Sequence, residues 1–495
     1  MRVLSETGCD ARVYKYEIES IVKAFCPAEK VIFGDADADA DSCGTRLFVR
    51  RDPQRVSLCL TGESFERTET EATGETPRAA ERALCRCLFR LLSAYTGRYL
   101  PWGTLTGVRP VKLVRRLRES GLSREDIREK LAADFLTSAE KTDLCLAADA
   151  MQEPVLAGTT LHDCSLYVAI PFCPSRCSYC SFVSHSVEKS RALIPDYLEK
   201  LVLDLEATAE VMRAAGLRLR SVYVGGGTPT VLEERQLAGL LEAICSRFDA
   251  AGCGEFTVEA GRPDTITRGK LALLREYGVT RISINPQTLE DRILQNIGRG
   301  HTVRQFYTAF ESAKEFDFTA INVDLIAGLE GDDGTAFRHS LDGVLALRPE
   351  NITVHTLTMK RASFLVMQKK VCPQDGISVA DMVDYSQKAV AAAGYRPYYL
   401  YRQKGTWDGL ENTGVCLGKT PCLYNIYIMD ESHTILSAGA GGVTKIVGAD
   451  NNITRCFNYK YPYEYIGRFQ NILMNKEKIA EACRNILPIK NKEES

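Results

Sequence analysis

Residues 166–182 read LYVAIPFCPSRCSYCSF. A short apolar run, the mark of a buried strand, gives way to three cysteines, Cys173, Cys177 and Cys180, at spacings of four and three. Between them stand Pro174, Ser175, Arg176 and Ser178, which are poor core residues, so the thiols gather on a loop and not in a packed interior. Three thiolates on one short loop suit a soft metal or an iron–sulfur cluster. A structural zinc site asks for a fourth protein ligand. The nearby residues offer only His185, which reads as an ordinary loop residue. A cubane held by three cysteines leaves one iron open, and an open coordination position is where a reactive small molecule binds.

The run before the cysteines is the first of six: LYVAI (166–170), VYVGG (222–226), FTVEA (256–260), RISIN (281–285), INVDLIAG (321–328) and NITVHTL (351–357). Amphipathic segments such as DYLEKLVLDLEATAEVM and RGKLALLREYG separate them. Repeated strand and helix imply a parallel sheet with helices outside, and such sheets carry their chemistry at the carboxyl ends of the strands. The cysteines follow the first strand and therefore belong at that end.

The chain of 495 residues divides into residues 1–155, a small α/β domain of unknown role, the βα core at 156–395 and a C-terminal part at 396–495. In the first part TRLFVRR and RVSLCLTG read as strands, and Ala80, Ala83, Leu84, Cys87, Leu88 and Leu91 line one face of a helix. Two more helices are expected in residues 102–135, with Ser123 as the N-cap of the second. The basic run Arg109, Lys112, Arg115, Arg116 and Arg118 reads as a solvated helix face.

Sixty-two Lys plus Arg against 64 Asp plus Glu, a formal charge of -2, give no electrostatic reason for a nucleic-acid or membrane-surface partner. The first twenty residues carry scattered charges and no secretory pattern, and no apolar run approaches the ~18 residues that span a bilayer. A cytoplasmic location is expected. In that reducing compartment the 18 cysteines do not form a disulfide framework; Cys416, Cys422 and Cys456 read as packing residues. His301, His339 and His355 read as structural histidines.

CPSRCSYCSF resembles the cluster-binding loop of the radical S-adenosylmethionine superfamily. GGGTPT (225–230), VEAGRPD (258–264), RISINPQT (281–288), LQNIGRGHT (294–302) and INVDLIAGL (321–329) resemble successive motifs of its oxygen-independent coproporphyrinogen III oxidase group. RISINPQ, WGTLTGVRP, YYLYRQK and LYNIYIMDE are similar to the HemZ-type branch. The resemblance implies a partial (β/α)6 TIM-like barrel and a 4Fe-4S cluster on Cys173, Cys177 and Cys180, with S-adenosyl-L-methionine chelating the open iron. It implies that Gly225, Gly226, Gly227 and Thr228 hold the amino group of that cofactor, with Glu259, Tyr167 and Tyr179 beside it. Gln287, Arg299 and Asp324 map onto a second S-adenosylmethionine site, so one or two molecules bind.

The implied activity is that of a radical SAM oxidoreductase in heme biosynthesis. An electron donor such as flavodoxin or ferredoxin reduces the cluster, the cofactor yields a 5'-deoxyadenosyl radical, and hydrogen is abstracted from the β-carbon of two propionates of coproporphyrinogen III. Each loses its carboxylate as carbon dioxide and gives up one electron, leaving a vinyl group, to give protoporphyrinogen IX. Arg299, Arg402, Lys404 and Lys445 are candidate partners for the tetrapyrrole's propionates. The chain also departs from the group. Phe182 stands where the HemN enzymes carry a further cysteine and the HemW heme chaperones an aromatic residue, AlaGlyArgPro replaces the usual Asn-Pro turn after Glu259, and the C-terminal His-Asn-x-x-Tyr-Trp signature is missing. The alternative reading is a heme carrier of the HemW kind or another radical tetrapyrrole-modifying enzyme.

Overall fold

The computed structural model describes residues 1–5, 10–35, 44–180, 185–358, 378–403, 406–449 and 452–486. Phe182 and Lys404 lie outside them. The chain forms two compact units, Met1–Asp149 with Leu400–Glu411, and Ala150–Tyr399 with Asn412–Ser495.

The first unit carries a sheet in the order β2-β1-β3-β4-β5, with β1 (Arg2–Ser5), β2 (Ile32–Asp35), β3 (Arg46–Arg51), β4 (Arg55–Gly62) and β5 (Phe65–Ala72). Helix Pro77–Thr96 covers it, and the face expected from spacing, Ala80 to Leu91, is the buried one. Its start and stop are local: the Thr76 hydroxyl accepts from the Ala79 amide, Pro77 opens the first turn, and Gly97 closes the helix at φ 68°. Ser123 caps helix Arg124–Phe135 in a reciprocal pair with Asp126, as its position predicts. Arg402 belongs to this unit, where it donates to the carbonyls of Leu105 and Gly409 and lies over the Trp102 ring.

The second unit holds the six expected strands as consecutive parallel neighbours: β6 (Asp163–Ile170), β9 (Arg218–Gly226), β10 (Glu255–Glu259), β11 (Arg281–Ser283), β12 (Ala320–Ala327) and β13 (Asn351–Thr356). Helices Ile194–Ala214, Glu234–Cys245, Arg268–Glu276, Val303–Lys314 and Thr335–Leu347 make the crossovers. β6 and β9 begin earlier than their apolar runs, because an Asp163–Arg218 ion pair opens both strands with polar residues that hydrophobic patterning passes over. β11 stops short of the expected RISIN because Pro286 has no amide to donate. Ladder contact resumes at Gln287, whose amide reaches the Asp324 carbonyl and whose carbonyl accepts from Ile326.

A minor pair, β7 (Phe172–Cys173) and β8 (His185–Ser186), flanks the cysteine loop. C-terminal strands extend both sides of the sheet: β14 (Arg396–Arg402), β15 (Glu411–Cys416), β16 (Thr434–Ala438), β17 (Val443–Val447) and β18 (Ile453–Phe457). The order is β14-β15-β13-β12-β11-β10-β9-β6-β16-β17-β18, an open sheet, so the barrel is partial. No described helix is long and apolar enough to cross a membrane.

Candidate active site at the carboxyl ends of the strands

Alternate residues of a strand share one face, and on the face between the strands this unit carries polar groups where a packed barrel carries Val, Ile and Leu. At the amino ends Ser165 bonds Ser221 (2.6 Å) and His433 (2.8 Å), while Arg281 pairs with Glu255 (3.1 Å) and donates to Asn351. Above these, Tyr167, Tyr223 and Tyr424 stack with interplanar angles of 18–25°. Tyr424 enters from helix Leu423–Asp430, whose first amides donate to the Glu255 carboxylate.

At the carboxyl ends stand Glu259, Asp324 and His355. The Tyr223 hydroxyl donates to Glu259 Oε1 (2.6 Å) and the Gly226 amide to Oε2 (3.2 Å). Burial, with the Asp324 charge nearby, nevertheless pushes the Glu259 carboxyl up to about 7. Burial would raise Asp324 too, but His355 (Nε2 to Oδ2, 3.6 Å) and the Asn322 amide (2.7 Å) outweigh it and hold that carboxyl low.

The folded Glu259 therefore keeps a proton that the unfolded chain releases near 4.5, so stability declines as pH rises from about 4.5 to 7. The decline is no more than ~3 kcal/mol, less the screening by water at the open mouth. Glu259→Gln is expected to flatten that slope in thermal unfolding measured across the window; an unchanged slope would remove Glu259 as its source.

The cysteine loop is fastened from two sides. Beneath it, Gly227 and Thr228 donate their amides to the Ile170 and Phe172 carbonyls (2.7 and 2.8 Å). A Cβ on Gly227 would sit 2.5 Å from the Phe172 oxygen, and one on Gly225 2.8 Å from the Glu259 carboxylate. Glycine there permits the cysteine loop and Glu259 to close on the same strand end. The Thr228 hydroxyl points at Cys173 Sγ (3.5 Å).

From the other side, the Ser178 amide and Ser175 hydroxyl donate to the carbonyls of Ile297 and Gly298 (3.0 and 2.9 Å). Buried Arg299 holds Tyr179 Oη (3.0 Å) and the carbonyls of Gly261 (2.9 Å) and Asn285 (2.6 Å), and its Nη1 lies 3.9 Å from Cys177 Sγ. Burial, reinforced by Cys177, raises the Tyr179 hydroxyl. Burial and the charges of Arg299 and Arg262 lower His301 to about 3, so it is neutral. Gln287 adopts φ 71°, a left-handed conformation that is strained for a residue with a Cβ, and its side-chain oxygen is buried without a partner.

The structure thus gathers Cys173, Cys177, Cys180, Tyr179, Gly227, Thr228 and Arg299 around the loop, and Tyr167, Gly225, Gly226 and Glu259 at the adjoining strand ends. Gln287 and Asp324 meet each other through the β11–β12 ladder. Of the candidate propionate partners, Arg299 is spent on the loop, Arg402 on the first unit, and Lys445 faces Glu431 (3.5 Å). Sequence reasoning did not single out Tyr223 and Tyr424, whose place in the stack no local signal announces; His355, read as structural, pairs with Asp324.

Among the described residues no three His, Cys, Asp or Glu side chains are placed to hold a single metal ion. A threonine hydroxyl and a guanidinium directed at sulfur suit thiolates. Partnerless buried atoms at Ser178 Oγ, Arg299 Nε and Gln287 Oε1 offer polar contacts to a bound group. The residues present fit the cluster and its cofactor.

Residues 167–342 match the model of the radical SAM superfamily. The chain is 36% identical over 427 residues to the oxygen-independent coproporphyrinogen-III oxidase-like protein HemZ of Bacillus subtilis, with 84% of each chain covered. It is 34% identical over 242 residues to the heme chaperone HemW of the same organism, covering 48% of this chain and 62% of that one. The solved coproporphyrinogen III oxidase HemN of Escherichia coli shares the fold, with a TM-score of 0.52 and 20% identity over 65% of this chain and 72% of that chain.

Proposed function

Because the chain belongs to the radical SAM superfamily, in the family of the HemZ-type oxygen-independent coproporphyrinogen-III oxidase-like proteins, we propose that it converts coproporphyrinogen III to protoporphyrinogen IX without oxygen. The observation that carries the reading is the three-cysteine loop, clamped by Arg299 and the 225–228 strand end at the open mouth of a six-strand parallel core. Cys173, Cys177 and Cys180 would hold the 4Fe-4S cluster, and Gly225 to Thr228 with Glu259 the S-adenosylmethionine. When bound, these groups would supply the one-electron chemistry that removes a hydrogen atom from a propionate β-carbon; the carboxylate of each of two propionates would then leave as carbon dioxide and one electron would pass to an acceptor, so that each side chain becomes a vinyl group.

The chain's own residues do the positioning. Arg299 and Thr228 stabilise negative charge on the loop sulfurs and fix the loop against both neighbouring strand ends. Glu259, held by Tyr223 and the Gly226 amide, presents a carboxyl that gains or loses its proton near neutrality, so an ammonium group placed beside it favours the ionised form. The tyrosine stack sets the Tyr223 hydroxyl against Glu259.

The test is anaerobic incubation of the reconstituted protein with reductant, S-adenosylmethionine and coproporphyrinogen III. Protoporphyrinogen is the expected product. Deoxyadenosine without a vinyl product overturns the substrate while leaving the cofactors, and stoichiometric heme capture with transfer to an apo-acceptor turns the reading to a carrier.

A further inference from the structure

Next to the cysteine loop, three aromatic side chains stand where solvent reaches them. Parallel pairing sets His185 beside Phe172 and Ser186 beside Cys173, so the imidazole springs from a strand adjacent to the first thiol. Its ring meets Tyr461 and Tyr463 edge-on, at 6.0 and 6.3 Å, and the two tyrosines stack on each other at 5.4 Å and 16°. Tyr461 is 40% exposed and Tyr463 53%, and Phe457, in the same FNYKYPY run, 64%. Such rings in water normally mark a contact surface, and Tyr is among the residues that carry most binding energy at interfaces.

The charge around them is mixed, with cations in excess. In the described parts of residues 173–191 and 457–464, exposed Arg176, Lys189, Arg191 and Lys460 stand against exposed Glu188 and half-buried Glu464. A net positive charge in the segments that carry the stacked aromatics fits an acidic protein face, and it steers such a partner by long-range attraction.

Resting on the reading of the loop as a cluster site, we propose that the Tyr461–Tyr463–His185 ledge is the docking surface for the acidic one-electron carrier protein that reduces the cluster. One electron passes from the reduced carrier to the cluster; the carrier is oxidised by one electron, and no bond forms or breaks. The ledge is suited to this because His185 stands on the strand paired with Phe172–Cys173 while Tyr461 and Tyr463 are open to solvent.

The experiment follows the visible absorbance of the cluster in reconstituted full-length protein under two reductants, a reduced flavodoxin and dithionite. Tyr461→Ser/Tyr463→Ser is expected to slow reduction by flavodoxin roughly tenfold, the loss of one interface hot spot, while leaving dithionite reduction unchanged. Lys460→Glu is expected to slow it as well and to weaken its dependence on ionic strength. Flavodoxin rates that match wild type in both variants overturn the proposal, as does a wild-type cluster that dithionite reduces and flavodoxin does not. Self-association of the wild type that disappears in the tyrosine variant, seen by sedimentation with unaltered flavodoxin rates, assigns the ledge to a second copy of this chain instead. A protein that binds no iron at all fails at the cluster, and that outcome is distinct from every result above.

Discussion

Cys177→Ala is expected to abolish stoichiometric iron and sulfide binding on anaerobic reconstitution and to bring deoxyadenosine formation to background. Cys177 is the middle thiol of the loop, buried, with the Arg299 guanidinium against its sulfur. Removing it takes one of three anchors from the cluster and leaves a buried cation facing a methyl group. The matched control is Cys87→Ala. Burial pushes the Cys87 thiol up to about 12, and Cys85 and Cys483 likewise, so these are protonated packing groups at neutral pH. The control should retain full iron content, measured by iron and sulfide analysis and by the paramagnetic signal of the reduced protein. A reduced-cluster signal that survives in Cys177→Ala would place the ligands elsewhere.

Glu255→Ala is expected to destabilise the second unit by about 3–5 kcal/mol, because it strips the partner from a buried charge. Glu255 and Arg281 are 3% and 5% exposed. The same carboxylate accepts from the Cys422 thiol and from the Leu423 and Tyr424 amides, so its loss also frees the start of the helix that delivers Tyr424. Replacing the pair together, Glu255→Met with Arg281→Met, should recover part of the stability, since two apolar side chains leave no unpaired charge. Thermal unfolding measures the first effect, and near-ultraviolet circular dichroism of the stacked tyrosines the second. A single variant as stable as wild type would mean that water reaches and solvates Arg281.

Some of this chain is legible a few residues at a time. The cysteine spacing, the polar residues between the thiols, the six apolar runs and the Ser123 cap are each complete within one strand, loop or turn, where backbone geometry alone couples the residues. That was enough for the parallel core, for the end of it that carries the loop, and for the superfamily. The early starts of β6 and β9 and the break at Pro286 show the limit even at that range, since one depends on an ion pair between strands and the other on a missing donor.

What only the tertiary structure decided lies at longer range. Arg299 reaches Cys177 across 122 residues of chain, and Tyr223 reaches Glu259 across 36. Arg402, which residue type alone offers to a carboxylate ligand, is instead bound within the first unit by Leu105, Gly409 and Trp102. The proton affinity of Glu259, the place of Tyr424 and the pairing of His355 with Asp324 depend on which groups share a buried volume, and burial is a property of the packed whole. Spacing along the chain therefore determines which residues are available for chemistry, and desolvation and contact in the folded unit determine what each of them does.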